Sequence, residues 1–108
     1  MAAKRFAYIW QYQINPAHKS DFLAAYDRKG EWAELFSRDP SYLGTRLLRD
    51  IEDENRYATI DYWVSRSDRD SFRKRYAAEF SELDSRCEEF TQNEQFVGDY
   101  VEVDDPTA

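Results

Sequence analysis

Tyr57-Ala58-Thr59-Ile60-Asp61-Tyr62-Trp63-Val64 alternates in polarity and size, and Ser65-Arg66-Ser67-Asp68 carries it with almost no loop into a helical pattern that reaches Tyr76. Side chains two apart on a strand point the same way, so Asp61 and Trp63 share a face with Tyr57 and Thr59. This junction puts a carboxylate and an indole side by side at the end of a strand. Ser67 beside Asp68 supplies an N-cap and a favourable first-turn charge. Beyond it Phe72, Tyr76, Phe80, Leu83, Cys87 and Phe90 fall three or four apart, predicting one apolar stripe on a helix over residues 68 to 91.

Upstream, residues 5 to 14 alternate, with Phe6, Tyr8, Trp10, Tyr12 and Ile14 on one face and Ala7, Ile9, Gln11 and Gln13 on the other. Asn15-Pro16 stops that strand and starts a helix, because asparagine accepts from free helix N–H groups and proline suits the first helical position. Phe22, Leu23, Tyr26, Trp32, Leu35 and Phe36 recur at helical spacing around a break at Gly30, and Asp39-Pro40 closes the region. A strand over about 42 to 51 and the quoted strand form a hairpin through Glu52-Asp53-Glu54-Asn55, and a fourth strand runs over 95 to 103. The order β-α-β-β-α-β predicts an α+β, ferredoxin-like domain, an antiparallel sheet with helices on one face. The chain reads as a single domain over 1–108, with core 5–103 and a polar tail at 104–108.

Composition narrows the function classes. Fifteen Lys and Arg against twenty-two Asp and Glu give a net charge of -7, which repels phosphate backbones and anionic membranes, so no nucleic-acid or membrane partner is expected. The cluster Arg66, Arg69, Arg73, Lys74 and Arg75 is interleaved with Asp68 and Asp70 and reads as a solvated helix face. No apolar run approaches the roughly 20 residues of a membrane helix, and Met1-Ala2-Ala3-Lys4-Arg5 leads into strand without a signal-peptide core, so a cytoplasmic protein is expected. One histidine and one cysteine, without carboxylate spacing around them, predict no metal site; Cys87 reads as a buried small residue and His18 as solvated.

A ferredoxin-like chain of this length, with a strand ending in Tyr62-Trp63-Val64-Ser65 and running into a helix, resembles the antibiotic biosynthesis monooxygenase family of dimeric α/β-barrel proteins over residues 5 to 103. A tryptophan commonly stands there where Trp63 stands. The resemblance implies a homodimer and a cavity inside each subunit. It also implies oxygenation of a small aromatic or polyketide-like substrate without cofactor, metal or flavin. The haem-degrading branch is the least similar: its histidine on the following helix and asparagine in strand 1 have no counterpart, since strand 1 offers Gln11 and Gln13 and Asn15 stands at its end.

A hairpin closed through Asp53-Glu54 sets Arg46 opposite Asp61, Gly44 opposite Trp63 and Leu48 opposite Thr59. Leu43, Thr45, Leu47, Ile51, Ala58, Ile60, Tyr62 and Val64 then share the other face, an apolar surface that sheet-to-sheet dimerisation would cover. The expected catalytic set is Trp63 to stack the substrate, Asp61 or a tyrosine hydroxyl to take a phenolic proton and Arg46 to stabilise the anion, with Tyr57, Thr59 and Tyr76 as substrate-binding residues. The rival reading of Asp61 and Arg46 is a cross-strand ion pair, and of Trp63 and the Phe72-Tyr76-Phe80 stripe, core. Two other functions stay open: a non-catalytic binding or interaction module, favoured by the missing acid–base residues, and an isomerase or lyase using the same pocket without oxygen.

Overall fold

The computed structural model describes residues 4–103, and the tail expected at 104–108 lies outside them. Strands β1 (Phe6–Ile14), β2 (Tyr42–Arg49), β3 (Arg56–Trp63) and β4 (Thr91–Val101) form one antiparallel sheet in the order β2-β3-β1-β4. Helices α1 (Lys19–Tyr26) and α2 (Glu31–Phe36) connect β1 to β2, and α3 (Arg66–Arg75) and α4 (Ala77–Cys87) connect β3 to β4. This is the α+β, ferredoxin-like plan that the sequence predicts.

The core forms where one sheet face meets the helices. Phe6, Tyr8, Tyr12 and Ile14 of β1 and Tyr57 and Trp63 of β3 bury against Phe22, Tyr26, Trp32, Leu35, Phe36, Phe72 and Leu83. Asn15 caps the turn after β1 by accepting from the Ala17 N–H at 3.1 Å, with Pro16 at the first helical position. Gly30 separates α1 from α2, and a Cβ there would stand 2.6 Å from the Ala24 carbonyl oxygen, so only glycine fits.

Four expectations change. The N-cap of α3 is Ser65, whose hydroxyl accepts from the Asp68 N–H at 3.1 Å, rather than Ser67. The stripe over 68 to 91 belongs to two helices, because Tyr76 (φ -111°, ψ 31°) leaves helical geometry between α3 and α4. Strand β4 starts at Thr91, before the expected Gln95, in a polar run whose exposed residues carry no apolar alternation to read.

The fourth change moves the site. Asp50 Oδ1 accepts from the N–H groups of Glu52 (2.7 Å) and Asp53 (3.1 Å), so the turn begins at Asp50 and leaves Ile51 in the loop, 96% exposed. The hairpin therefore closes one residue away from the expected register: Thr45, not Arg46, stands opposite Asp61, and Arg46 stands opposite Ile60. A one-residue slip exchanges the faces, so Thr45 and Leu47 turn toward the helices and Arg46 and Leu48 toward the open side. A bulge follows at Tyr42 to Gly44, where Gly44 takes φ +129° and pairs with Tyr62 while Tyr42 pairs with Trp63. The open face of the sheet carries Ile9, Leu43, Leu48, Ala58, Ile60 and Tyr62.

Candidate active site

Between the sheet and the helices lies a cavity of about 350 Å³. Tyr8, Trp10 and Tyr12 of β1 form its floor together with Asp61 of β3; Tyr26, Trp32 and Phe36 form one wall, and Arg73 and Phe80 the other. The exposed Asp84 and Glu94 stand at the rim. The strand period explains the floor, since the alternate residues of β1 that face inward are its large aromatics.

Asp61 is 6% exposed. One carboxylate oxygen, Oδ1, accepts from the Thr45 hydroxyl, which also meets the Tyr42 hydroxyl; Oδ2 carries no hydrogen bond among the described residues. Burial pushes the carboxyl up to about 6, against the pull of the Thr45 hydrogen bond and the positive charge of Arg73. At neutral pH it is thus an ionised base whose conjugate acid forms readily.

Arg73 is the cavity's cation. Its guanidinium carbon lies 5.3 Å from the centre of the Tyr8 ring and 5.7 Å from that of Phe80, a cation–π arrangement on both sides. Its Nε is buried without a hydrogen-bond partner, and it makes no ion pair among the described residues. Tyr8 is 3% exposed, and its hydroxyl makes no hydrogen bond among the described residues. Burial, reinforced by the Asp61 charge, holds that phenol far above its ordinary value, so Tyr8 presents a neutral O–H donor. The cavity therefore holds a buried base, Asp61, and donors that the fold leaves unsatisfied among the described residues: Arg73, the Tyr8 hydroxyl and the Trp32 indole N–H.

Of the six residues expected at the site, only Asp61 lines this cavity. Trp63 is fully buried behind it, with ring centres 5.7 Å from Phe36, 5.3 Å from Tyr42 and 5.2 Å from Phe72, and its indole N–H has no partner. Thr59 stands one layer back, its hydroxyl 3.1 Å from that of Tyr12. Tyr57 packs against Phe22 at 5.2 Å, and Tyr76 lies over Phe72 at 4.8 Å with Arg38 beyond it. Arg46 is exposed on the opposite side of the sheet, near Arg5, Arg28, Lys29 and Tyr62. The expected Arg46–Asp61 contact does not form, because the register puts the two on opposite faces.

The basic cluster of α3 divides: Arg66, Lys74 and Arg75 form the solvated face its composition suggests, whereas Arg69 and Arg73 turn inward. Arg69 is 4% exposed and forks onto Asp99 at 3.0 and 3.3 Å. Residues 69 and 73 are one helical repeat apart and flank Phe72, so the inward stripe of α3 includes two arginines. That spacing is the signal in the sequence that would have found Arg73. Among the described residues no three His, Cys, Asp or Glu side chains converge to hold a metal ion. Burial pushes the Cys87 thiol up to about 11, and His18 makes a 3.1 Å contact with Asp21.

Fold and cavity together define the class: a ferredoxin-like α+β domain enclosing an aromatic pocket with a buried carboxylate. The model of the antibiotic biosynthesis monooxygenase family matches residues 5–83, and the chain belongs to that family. Solved structures agree in fold. A protein from Bordetella bronchiseptica assigned to the antibiotic biosynthesis monooxygenases superposes with TM-score 0.75 at 24% identity, covering 93% of this chain and 98% of that one. SnoaB from Streptomyces nogalater, described as a cofactor-independent oxygenase, gives TM-score 0.72 at 18% identity over 98% of this chain and 100% of that one. A similarly assigned protein from Nitrosomonas europaea gives 0.72 at 13% identity, with 95% and 94% covered. No curated protein matches in sequence. Among the described residues no helix is long and apolar enough to cross a membrane.

Proposed function

We propose that this protein oxygenates a small aromatic or polyketide-like molecule with dioxygen, using no metal or flavin, in the cavity above Tyr8, Trp10 and Asp61. The observation that carries the reading is a buried carboxylate facing an aromatic pocket in which an arginine and a tyrosine hydroxyl have no partner of their own. The similarity to a cofactor-independent oxygenase supports it.

The substrate's ring stacks among the aromatic walls. Asp61 removes a proton from an acidic carbon or phenol, and Arg73, in the role expected of Arg46, holds the oxygen on which the negative charge settles, with Tyr8 as a second donor. The electron-rich carbanion passes an electron to dioxygen, and the two combine to a peroxide. Asp61 returns its proton to that peroxide, and the carbon loses its second hydrogen as water departs. One oxygen atom ends in the product carbonyl and the other in water. The protein contributes position, proton transfer and a dry site.

Substituting Asp61 by Asn tests this reading. Oxygen uptake with polycyclic phenols is expected to fall by roughly 10²- to 10⁴-fold, the usual contribution of a general base, while ligand binding persists. Unchanged uptake would remove Asp61 as the base. A binding module without turnover is the second reading; what favours it is that Trp63 sits behind the cavity wall instead of in it. Binding by the wild type with no uptake of oxygen at any pH would decide for that module. We also propose a homodimer joined through the open sheet face around Ile60, where Leu43 (46%) and Leu48 (50%) are exposed.

A further inference from the structure

We infer that Thr45, backed by Tyr42, is the positioning residue of the site, fixing which oxygen of Asp61 receives the proton. This inference rests on the proposed role of Asp61 as base. The hydroxyl of Thr45 donates to Oδ1 of Asp61. A threonine hydroxyl has one hydrogen, so while Asp61 is ionised the contact between Thr45 and Tyr42 requires the tyrosine to donate and the threonine to accept. The row thus has one direction, Tyr42 to Thr45 to Asp61, and it leaves Oδ2 as the unoccupied oxygen.

The row exists because of backbone geometry. Residues 42 and 45 are three apart, and on a regular strand they would face opposite ways. The bulge at Gly44, with φ +129°, inserts the extra residue that turns both inward. Tyr42 is then clamped by Phe36 at 5.5 Å and Trp63 at 5.3 Å, which connects the buried indole to the site through packing. The other charged and titratable groups lining the cavity with Asp61 are Tyr8 and Tyr12 from β1, Tyr26 from α1 and Arg73 from α3, with Asp84 of α4 and Glu94 of β4 at the rim. None of these donates a hydrogen bond to Asp61, so among the described residues Thr45 alone orients it.

The test is carboxyl-carbon NMR of the full chain, with the Asp61 resonance assigned by its loss in Asp61→Asn, alongside the pH dependence of kcat/KM for oxygen uptake. In Thr45→Val the Asp61 midpoint is expected to rise from about 6 to about 7, since one hydrogen bond to the charged form is lost, and the acidic limb of the activity profile to move with it. Thr45→Ser restores both, and Tyr42→Phe moves both the same way by less. A midpoint and profile unchanged in Thr45→Val would overturn the inference, as would a serine variant that behaves like valine. Should the valine variant fail to fold, Tyr42→Phe carries the test by the same two readouts, and an unmoved midpoint there overturns it. Movement of the NMR midpoint in a protein that takes up no oxygen would sustain Thr45 as the positioning residue and overturn the oxygenase reading instead.

Discussion

Asp61 makes the folded protein less stable at neutral pH than a neutral residue in its place. Its native carboxyl titrates at about 6 against an ordinary value of 3.8 because burial disfavours the charge. The native state therefore binds the proton more tightly than the unfolded chain. Stability falls as pH rises from about 4 through about 6, and the loss above that is up to about 3 kcal/mol. Asp61→Asn is expected to raise the unfolding free energy at pH 7 by up to about 3 kcal/mol while lowering turnover by roughly 10²- to 10⁴-fold, and to give little stabilisation at pH 4. Urea unfolding at both pH values checks it; equal effects at the two would mean the carboxylate is not buried as described. Arg73→Met retains the stem between Tyr8 and Phe80 and removes the charge. A loss of about 10²-fold in turnover is expected, as for other donors to developing charge. Arg46→Met, on the far side of the sheet, leaves turnover unchanged, and a reversal of these two results would restore the expected site. Asp61 was legible in the sequence because strand alternation alone assigns its face. Thr45 and Arg46 were not distinguishable, because their faces depend on a turn whose start is set by one side chain, Asp50.

The hairpin of β2 and β3 shows the same dependence at the scale of elements. Both strands are plain from their composition, but the bulge is carried by one glycine that an alternating pattern does not betray. Gly44→Ala has open space for its methyl group but is forced into a backbone conformation that L residues avoid. A loss of about 1 to 2 kcal/mol is expected, together with a shift of the acidic limb of the activity profile, since Tyr42 and Thr45 no longer face inward together. Loss of stability with an unaltered profile would separate the bulge from the site. The split of the second helical segment at Tyr76 escaped the periodicity because the apolar stripe continues through Phe80, Leu83 and Cys87 without a change of phase. The inward arginines of α3 were hidden by residue type: a helical repeat of Arg69 and Arg73 counts as polar, although Arg69 is fixed against Asp99 and Arg73 is stacked between rings.

At the scale of the whole molecule the sheet has two unlike faces, one closed by helices over the cavity and one bare. The bare face was legible as apolar because β1 and β3 carry large residues on both sides, though Arg46 and Leu48 now replace Thr45, Leu47 and Ile51 in it. Ile60→Glu places a charge at the centre of that face; by analytical ultracentrifugation the wild type is expected to sediment as a dimer and the variant as a monomer. An unchanged sedimentation coefficient in the variant would move the interface elsewhere. The proposed chemistry belongs to the cavity and not to the face, and its most direct test is oxygen consumption. Wild-type protein stripped of metal and flavin would be titrated from pH 5 to pH 8 against a panel of polycyclic phenols. The account predicts uptake that rises through about pH 6 as Asp61 ionises, with one oxygen atom recovered in the product. Uptake independent of pH across that range, or equal in Asp61→Asn, would contradict it.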